Sequence, residues 1–264
     1  MTDLLEHHRA TIERATKRLR ARDDVRAVLV GGSIAHGFAI ASSDVDLLIV
    51  VDDAAWERRL AQGDVTELDL DSPTYEGGYV DMKYTSVAFI RDVAARGSEV
   101  ARFAFDGAIV AWSSVDGVEA ELQAAARYPR EEQSDRIRAF HAQLEYWRWM
   151  FGESDRSRNA YVKTLAAPQV VLFAGRLVLA HNGVLYPGYK WLLRVLRDVD
   201  EQPAGLLPAV EAVMAAPDKE NVEELFAQVT TWRDWGVADQ HWGTKFMLDT
   251  ELAWLDGRPS VGDL

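Results

Sequence analysis

Apolar positions repeat in two different ways along the chain, and the change from one to the other comes near residue 125. Before it, short β-branched runs are interleaved with helical stretches. Val25–Val30 reads V-R-A-V-L-V and Val45–Val51 reads V-D-L-L-I-V-V, which predicts two strands, the second starting at Asp44. Leu4, Leu5, Ile12, Ala15 and Leu19 fall at helical spacing, predicting an amphipathic helix over residues 2–22 with Thr2 or Asp3 as its cap. Asp52 and Asp53 can cap a helix over 54–61. Residues 65–71 and 79–84 alternate polar and apolar around the turn-rich S-P-T-Y-E-G-G, which predicts an antiparallel hairpin. Side chains on a strand alternate faces, so Tyr79, Asp81 and Lys83 share one face of it and Val80 and Met82 the other. A helix over 86–96 and a short strand over 107–113 complete this part.

From Glu131 onward no strand-like alternation recurs. Phe140, Leu144, Trp147 and Phe151 form one stripe of a long helix, and further helices are expected at 157–181, 187–199, 205–216, 219–233 and 239–255. Pro168 is expected to kink or restart the second of these, and Pro187 to sit in the first turn of the third. Seven of the nine tryptophans lie here, and large aromatics at this spacing read as core. The organisation expected is therefore α+β: residues 1–125 as a small mixed sheet flanked by helices, then residues 126–264 as an all-α bundle. There is no internal repeat or long linker.

Composition narrows the function classes. The chain has no cysteine, which excludes disulfides, thiolate metal sites and a cysteine nucleophile, and fits a reducing, cytoplasmic location. The N-terminus lacks the basic and apolar regions of a leader, and no unbroken apolar run approaches a membrane span, so a soluble protein is expected. The net charge of -13 is spread over both halves, with 22 acidic and 13 basic side chains up to residue 125 and 20 and 16 after it. Neither half offers the clustered Lys and Arg that long nucleic acid requires, and an acidic protein attracts cationic small molecules.

The candidate chemistry sits between the first two strands. Gly31 and Gly32 permit conformations and a close approach that side chains would block, and they lead through Ser33 into a short helix over 33–38. Outward-pointing N–H groups there, with the Ser33 hydroxyl, can cradle terminal phosphates. Asp44 and Asp46 lie on one face of the second strand. Two carboxylates so close repel unless a cation neutralises them, and Mg²⁺ is bound by one or two carboxylates plus substrate phosphates. Asp46 inside an apolar strand has no explanation as a solvated acid. Asp81 is the third carboxylate, with Asp69 and Asp71 on the preceding strand as alternatives.

The stretch G-G-S-I-A-H-G-F-A-I-A-S-S-D-V-D-L-L-I-V resembles the signature of the polymerase-β-like nucleotidyltransferase superfamily, in which Gly-Ser is followed after about ten residues by Asp-x-Asp on a strand. The two-part layout is most similar to the small bacterial antibiotic nucleotidyltransferases of the streptomycin and kanamycin type. The motif match runs from Val25 to Lys83; the second half matches in architecture alone. The resemblance implies that Gly32 and Ser33 bind phosphate, that Asp44 and Asp46 hold Mg²⁺, two ions in all, and that Asp81 is a further metal ligand or the base for an acceptor hydroxyl, a glutamate in the streptomycin-type enzymes. It implies transfer of AMP from ATP, or of another nucleoside monophosphate from its triphosphate, to a small-molecule hydroxyl, with the helical half receiving the acceptor. Transfer to a protein or a tRNA end, and a nucleotide-binding regulator or toxin–antitoxin component without turnover, are the alternatives.

Among lesser candidates, His36 is either a phosphate contact or a structural donor, and Lys83 pairs with Asp81 or touches phosphate. Lys190, Arg194 and Arg197 form a basic stripe, of which Lys190, expected in a helix first turn, is the one that would reach a triphosphate. Glu76 and Glu145 read as surface acids that can face a cationic acceptor. His7, His8 and His141 have no metal-ligand spacing.

Overall fold

A computed structural model describes residues 4–257 and 260–261. The chain divides into two compact units, Met1–Arg127 and Tyr128–Leu264. The first opens with α1 (Glu6–Leu19), followed by β1 (Val25–Val30), the short α2 (Gly32–Ala35), β2 (Val45–Val51), α3 (Asp53–Gln62), β3 (Thr66–Asp69) and β4 (Val80–Ser86). It continues with α4 (Val87–Arg96), α5 (Glu99–Phe103), β5 (Ile109–Ser113) and α6 (Val118–Ala125). Thr2 and Asp3, the expected caps of α1, lie outside the described residues; at the described end Leu5 precedes the helix without a side-chain cap. Asp52 caps α3 as expected, accepting from the Ala55 amide at 2.8 Å.

The five strands form one mixed sheet in the order β3-β4-β2-β1-β5. β2 pairs antiparallel with β1 and parallel with β4, while β3 and β5 are antiparallel edges. The central strands are buried on both faces, which is why they read as near-continuous apolar runs. Val28, Val30, Leu47, Ile49, Val80 and Met82 pack with Ile12, Ala15 and Leu19 of α1. Ala27, Leu29, Leu48 and Val50 pack on the opposite face with Ile90 and Val93 of α4 and Val118 and Leu122 of α6. α5 and α6 are too short for a periodic signal and are absent from the sequence reading.

The second unit holds α7 (Gln133–Ser157), α8 (Ala160–Asn182), α9 (Leu192–Arg197), α10 (Leu206–Ala215), α11 (Lys219–Trp232) and α12 (Trp242–Asp249), with 3₁₀ turns at Arg130–Glu132 and Ala253–Asp256. Phe140, Leu144 and Phe151 of the expected stripe are fully buried. Trp147 is half-buried and donates to Gln143 Oε1 at 3.2 Å. The expectation that the tryptophans are core holds for Trp235, whereas Trp149 and Trp254 are exposed.

Two expectations are corrected here. α8 continues through Pro168, so this residue does not restart the helix. α9 starts at Leu192, not at 187, so Pro187 and Lys190 precede it. α8 is long and apolar enough, by length and composition, to cross a membrane, although Gln169 and Arg176 interrupt its apolar run; 67% of that window is buried, including the charged Arg176.

Candidate active site

The carboxylates gather at one end of the sheet, where β1 leaves and β2 and β4 begin. Parallel pairing sets Asp46 directly opposite Asp81. Both point to the face that carries Leu48 and Val50, and they lie at the end of it. Asp44 shares this face by alternation, one residue before β2, and takes the Tyr79 hydroxyl as donor. That bond, with the charge of Asp44, raises the pKa of the exposed Tyr79.

The glycine turn closes against this cluster. The Gly31 amide donates to Asp46 O at 3.0 Å, fastening the end of β1 to the start of β2. Gly32 has φ +59°, and a Cβ there would lie 1.9 Å from Asp46 Oδ2 and 2.8 Å from Asp46 Cβ. The phosphate-type turn and the Asp-x-Asp strand are thus in van der Waals contact, and glycine is required for both conformation and space. Ser33, next along, is buried, and its Oγ has no hydrogen-bond partner among the described residues. A buried hydroxyl without a partner is costly, so this one is suited to a ligand oxygen.

Lys83 supplies the positive charge. Its Nζ donates to Asp81 Oδ2 at 2.6 Å and to Asp46 Oδ1 at 3.3 Å. Burial raises the pKa of Asp46; Lys83 opposes the rise, while Asp44 and Asp81 add to it. For Lys83 burial works downward and is outweighed by its bonds and proximity to Asp81 and Asp46, so its pKa rises.

Among the described residues no three His, Asp or Glu side chains converge in a set that would hold a metal ion as they stand. The donors nevertheless fit one. They are carboxylate oxygens, which suit a hard divalent cation, and the place between Asp46 and Asp81 already receives a cationic group from Lys83.

The other sequence candidates fall into place around this set. Asp69 is opposite Val80, so it faces away from Asp81. It is committed to structure: Arg18 Nη1 donates to both its oxygens at 3.0 Å, and the Ser72 hydroxyl and the Asp71 and Ser72 amides donate as well. Burial acts to raise its pKa, and these donors outweigh it, leaving it lowered. Asp71 is exposed. His36 stacks on Phe103, with ring centres 4.1 Å apart, and on Phe38; burial lowers its pKa against the opposing pull of Asp106 and the Phe103 carbonyl. Its neighbours make it a packing residue. Lys190 belongs to the second unit, in the turn before α9, with Nζ 4.8 Å from the centre of the Trp191 ring. Glu145, on α7, is half-buried and its pKa is raised by that burial. Glu76 is exposed in the β3–β4 connection.

Sequence reasoning missed the brace behind Asp44. His7 Nε2 donates to Ala41 O at 2.9 Å, His8 Nε2 to Ser43 O at 3.0 Å, and the Tyr75 hydroxyl to Ser43 O at 2.5 Å. The start of α1 and the β3–β4 connection thereby hold the loop that presents Asp44. The acceptors are main-chain carbonyls, so no pattern of side-chain types signals them.

None of the curated proteins matches the chain. The crystal structure of a nucleotidyltransferase-like protein from Exiguobacterium sibiricum 255-15 aligns with TM-score 0.49 at 11% identity, over 96% of this chain and 81% of that one. Residues 12–138, which carry Gly32, Ser33, Asp44, Asp46, Asp81 and Lys83, match the family profile of the nucleotidyltransferase domain.

Proposed function

We propose that this protein is a Mg²⁺-dependent nucleotidyltransferase that moves AMP from ATP to a hydroxyl of a small molecule, an aminoglycoside-like antibiotic being the acceptor class, with release of pyrophosphate. The observation that carries this reading is the contact between the Gly32 turn and the Asp46 carboxylate, with Asp44 beside it and Asp81 in register. A phosphate cradle and a carboxylate cluster serve one substrate only if they adjoin, and here no side chain fits between them.

Ser33 offers its buried hydroxyl to a phosphate oxygen, and it lies in the first turn of α2, where helix amides lack intrahelical acceptors. Asp44, Asp46 and Asp81 would hold the divalent cation, which when bound would supply charge neutralisation for the phosphate oxygens and the leaving pyrophosphate. The acceptor oxygen forms a bond to the α-phosphorus, the bond from that phosphorus to the bridging oxygen of pyrophosphate breaks, and the hydroxyl proton passes to a carboxylate of the cluster. Such a reaction depends on positioning and charge neutralisation. The streptomycin- and kanamycin-type layout and the net charge of -13 support a cationic small acceptor over RNA.

The test is incubation with Mg²⁺, α-labelled ATP and a panel of aminocyclitols, read as label transfer and pyrophosphate release, with acid precipitation to separate small from macromolecular acceptors. Label in a soluble acceptor is expected, and Asp46→Asn should remove it by about two orders of magnitude or more while the protein stays folded. Label only in the precipitate would move the acceptor to a macromolecule. Unchanged transfer by Asp46→Asn would end the metal-ligand assignment.

A further inference from the structure

Lys83 is the charged member of the cluster that the reaction above leaves without a task. It stands two residues beyond Asp81 on β4, so both lie on one face of the strand. Because Asp46 is paired opposite Asp81, the ammonium reaches both carboxylates, 2.6 Å from Asp81 Oδ2 and 3.3 Å from Asp46 Oδ1. One ammonium thus bridges acids carried by two different strands.

We propose that Lys83 is a built-in counter-ion that competes with the divalent cation for Asp46 and Asp81, so that metal enters this pair only as the ammonium leaves it. The proposal rests on the nucleotidyl-transfer reading and assigns within it what sets the metal affinity. Mg²⁺ takes carboxylate oxygens at about 2.0–2.1 Å, so a metal bridging Asp46 and Asp81 would lie within a few ångströms of the ammonium that Lys83 places on Asp46 Oδ1 and Asp81 Oδ2, and two cations that close repel. Departure is sterically open, because the Lys83 side chain is 49% exposed and ends a flexible four-carbon stem with a well-hydrated head. Departure without replacement is opposed, since Asp46 would then face Asp44 and Asp81 with no cation beside it. The site therefore exchanges one cation for another. Without metal Lys83 offsets part of the carboxylate charge, and metal affinity is lower than the bare carboxylates would give.

The test is Mn²⁺ binding, by calorimetry and by the spin resonance of free Mn²⁺, to the full chain and to Lys83→Met and Lys83→Arg without nucleotide, with thermal melts of each. Lys83→Met should bind Mn²⁺ at least ten-fold more tightly than wild type. It should also melt lower when metal-free and gain more on adding Mn²⁺. Lys83→Arg, which keeps the bridging charge, should stay within a few-fold of wild type. A second measurement needs no variant: amine acylation of the wild-type protein, read by mass spectrometry, should label Lys83 several-fold faster once Mn²⁺ is present. If Lys83→Met binds Mn²⁺ no more tightly, or Lys83 labelling ignores Mn²⁺ that does bind, the competition is refuted while the metal site stands. If Mn²⁺ binds neither wild type nor Lys83→Met, the metal-dependent reading fails and this proposal with it.

Discussion

Gly32→Ala tests the junction on which the site depends. Two costs add at this position. An L-residue at φ +59° is in the left-handed region, which costs about 1–2 kcal/mol. The new methyl would also lie 1.9 Å from Asp46 Oδ2, 2.5 Å from Cγ and 2.8 Å from Cβ. Since even Asp46 Cβ is too close, turning the carboxylate about χ1 cannot relieve the clash; the start of β2 or the turn itself must move. Overpacking of this kind costs about 1–3 kcal/mol, giving a total of about 2–5 kcal/mol. For a chain of this size each kcal/mol lowers Tm by roughly 2–4 °C. A displacement of about 1 Å at Asp46 should reduce transfer by about 10²-fold. Gly37→Ala is the control: φ is +70°, and nothing lies within 4 Å of the added Cβ. It should lose only the backbone contribution, about 1–2 kcal/mol, and keep its activity. Differential scanning fluorimetry and a pyrophosphate-release assay on the three proteins decide the matter. A Gly32→Ala protein that matches Gly37→Ala in both Tm and rate would refute the claim that the turn and Asp46 share this space.

Two acids of the same hairpin should behave oppositely. Asp69→Asn, which disturbs a buried carboxylate held by Arg18 and Ser72, is expected to cost about 2–3 kcal/mol in urea unfolding with kcat nearly unchanged. Asp81→Asn should lose transfer by about two orders of magnitude with a far smaller stability change; the reverse pattern would exchange their roles. Stability should also fall as pH is lowered from neutrality towards 5. His8, His36 and His141 all have pKa values lowered by burial, so the unfolded chain binds more protons in this range. Their contribution is present above the ordinary histidine pKa of about 6.5 and is lost as pH falls through the depressed folded values. Urea midpoints that do not drop between pH 7.5 and 5 would show that these rings are not buried neutral.

Much of the site was legible in the residues themselves, because its parts are local. Glycine is the residue for a turn with positive φ and a close neighbour. Period-two alternation puts Asp44 with Asp46 and Asp81 with Lys83 whatever the rest of the fold does. Alternation also predicts the strands and the hairpin, and its replacement by helical spacing marks the change near residue 125. The third carboxylate was legible only in part: strand alternation pointed to Asp81 and left Asp69 and Asp71, acids of the same type in the preceding segment, as alternatives. Parallel pairing of β4 with β2, a contact between segments 35 residues apart, sets Asp81 against Asp46 and turns Asp69 towards Arg18 of α1. The bridging of two acids by Lys83 and the fit of Gly32 to Asp46 arise in the same way. Sequence patterns report what each segment does with itself and with solvent, and register between strands is decided only when the sheet assembles.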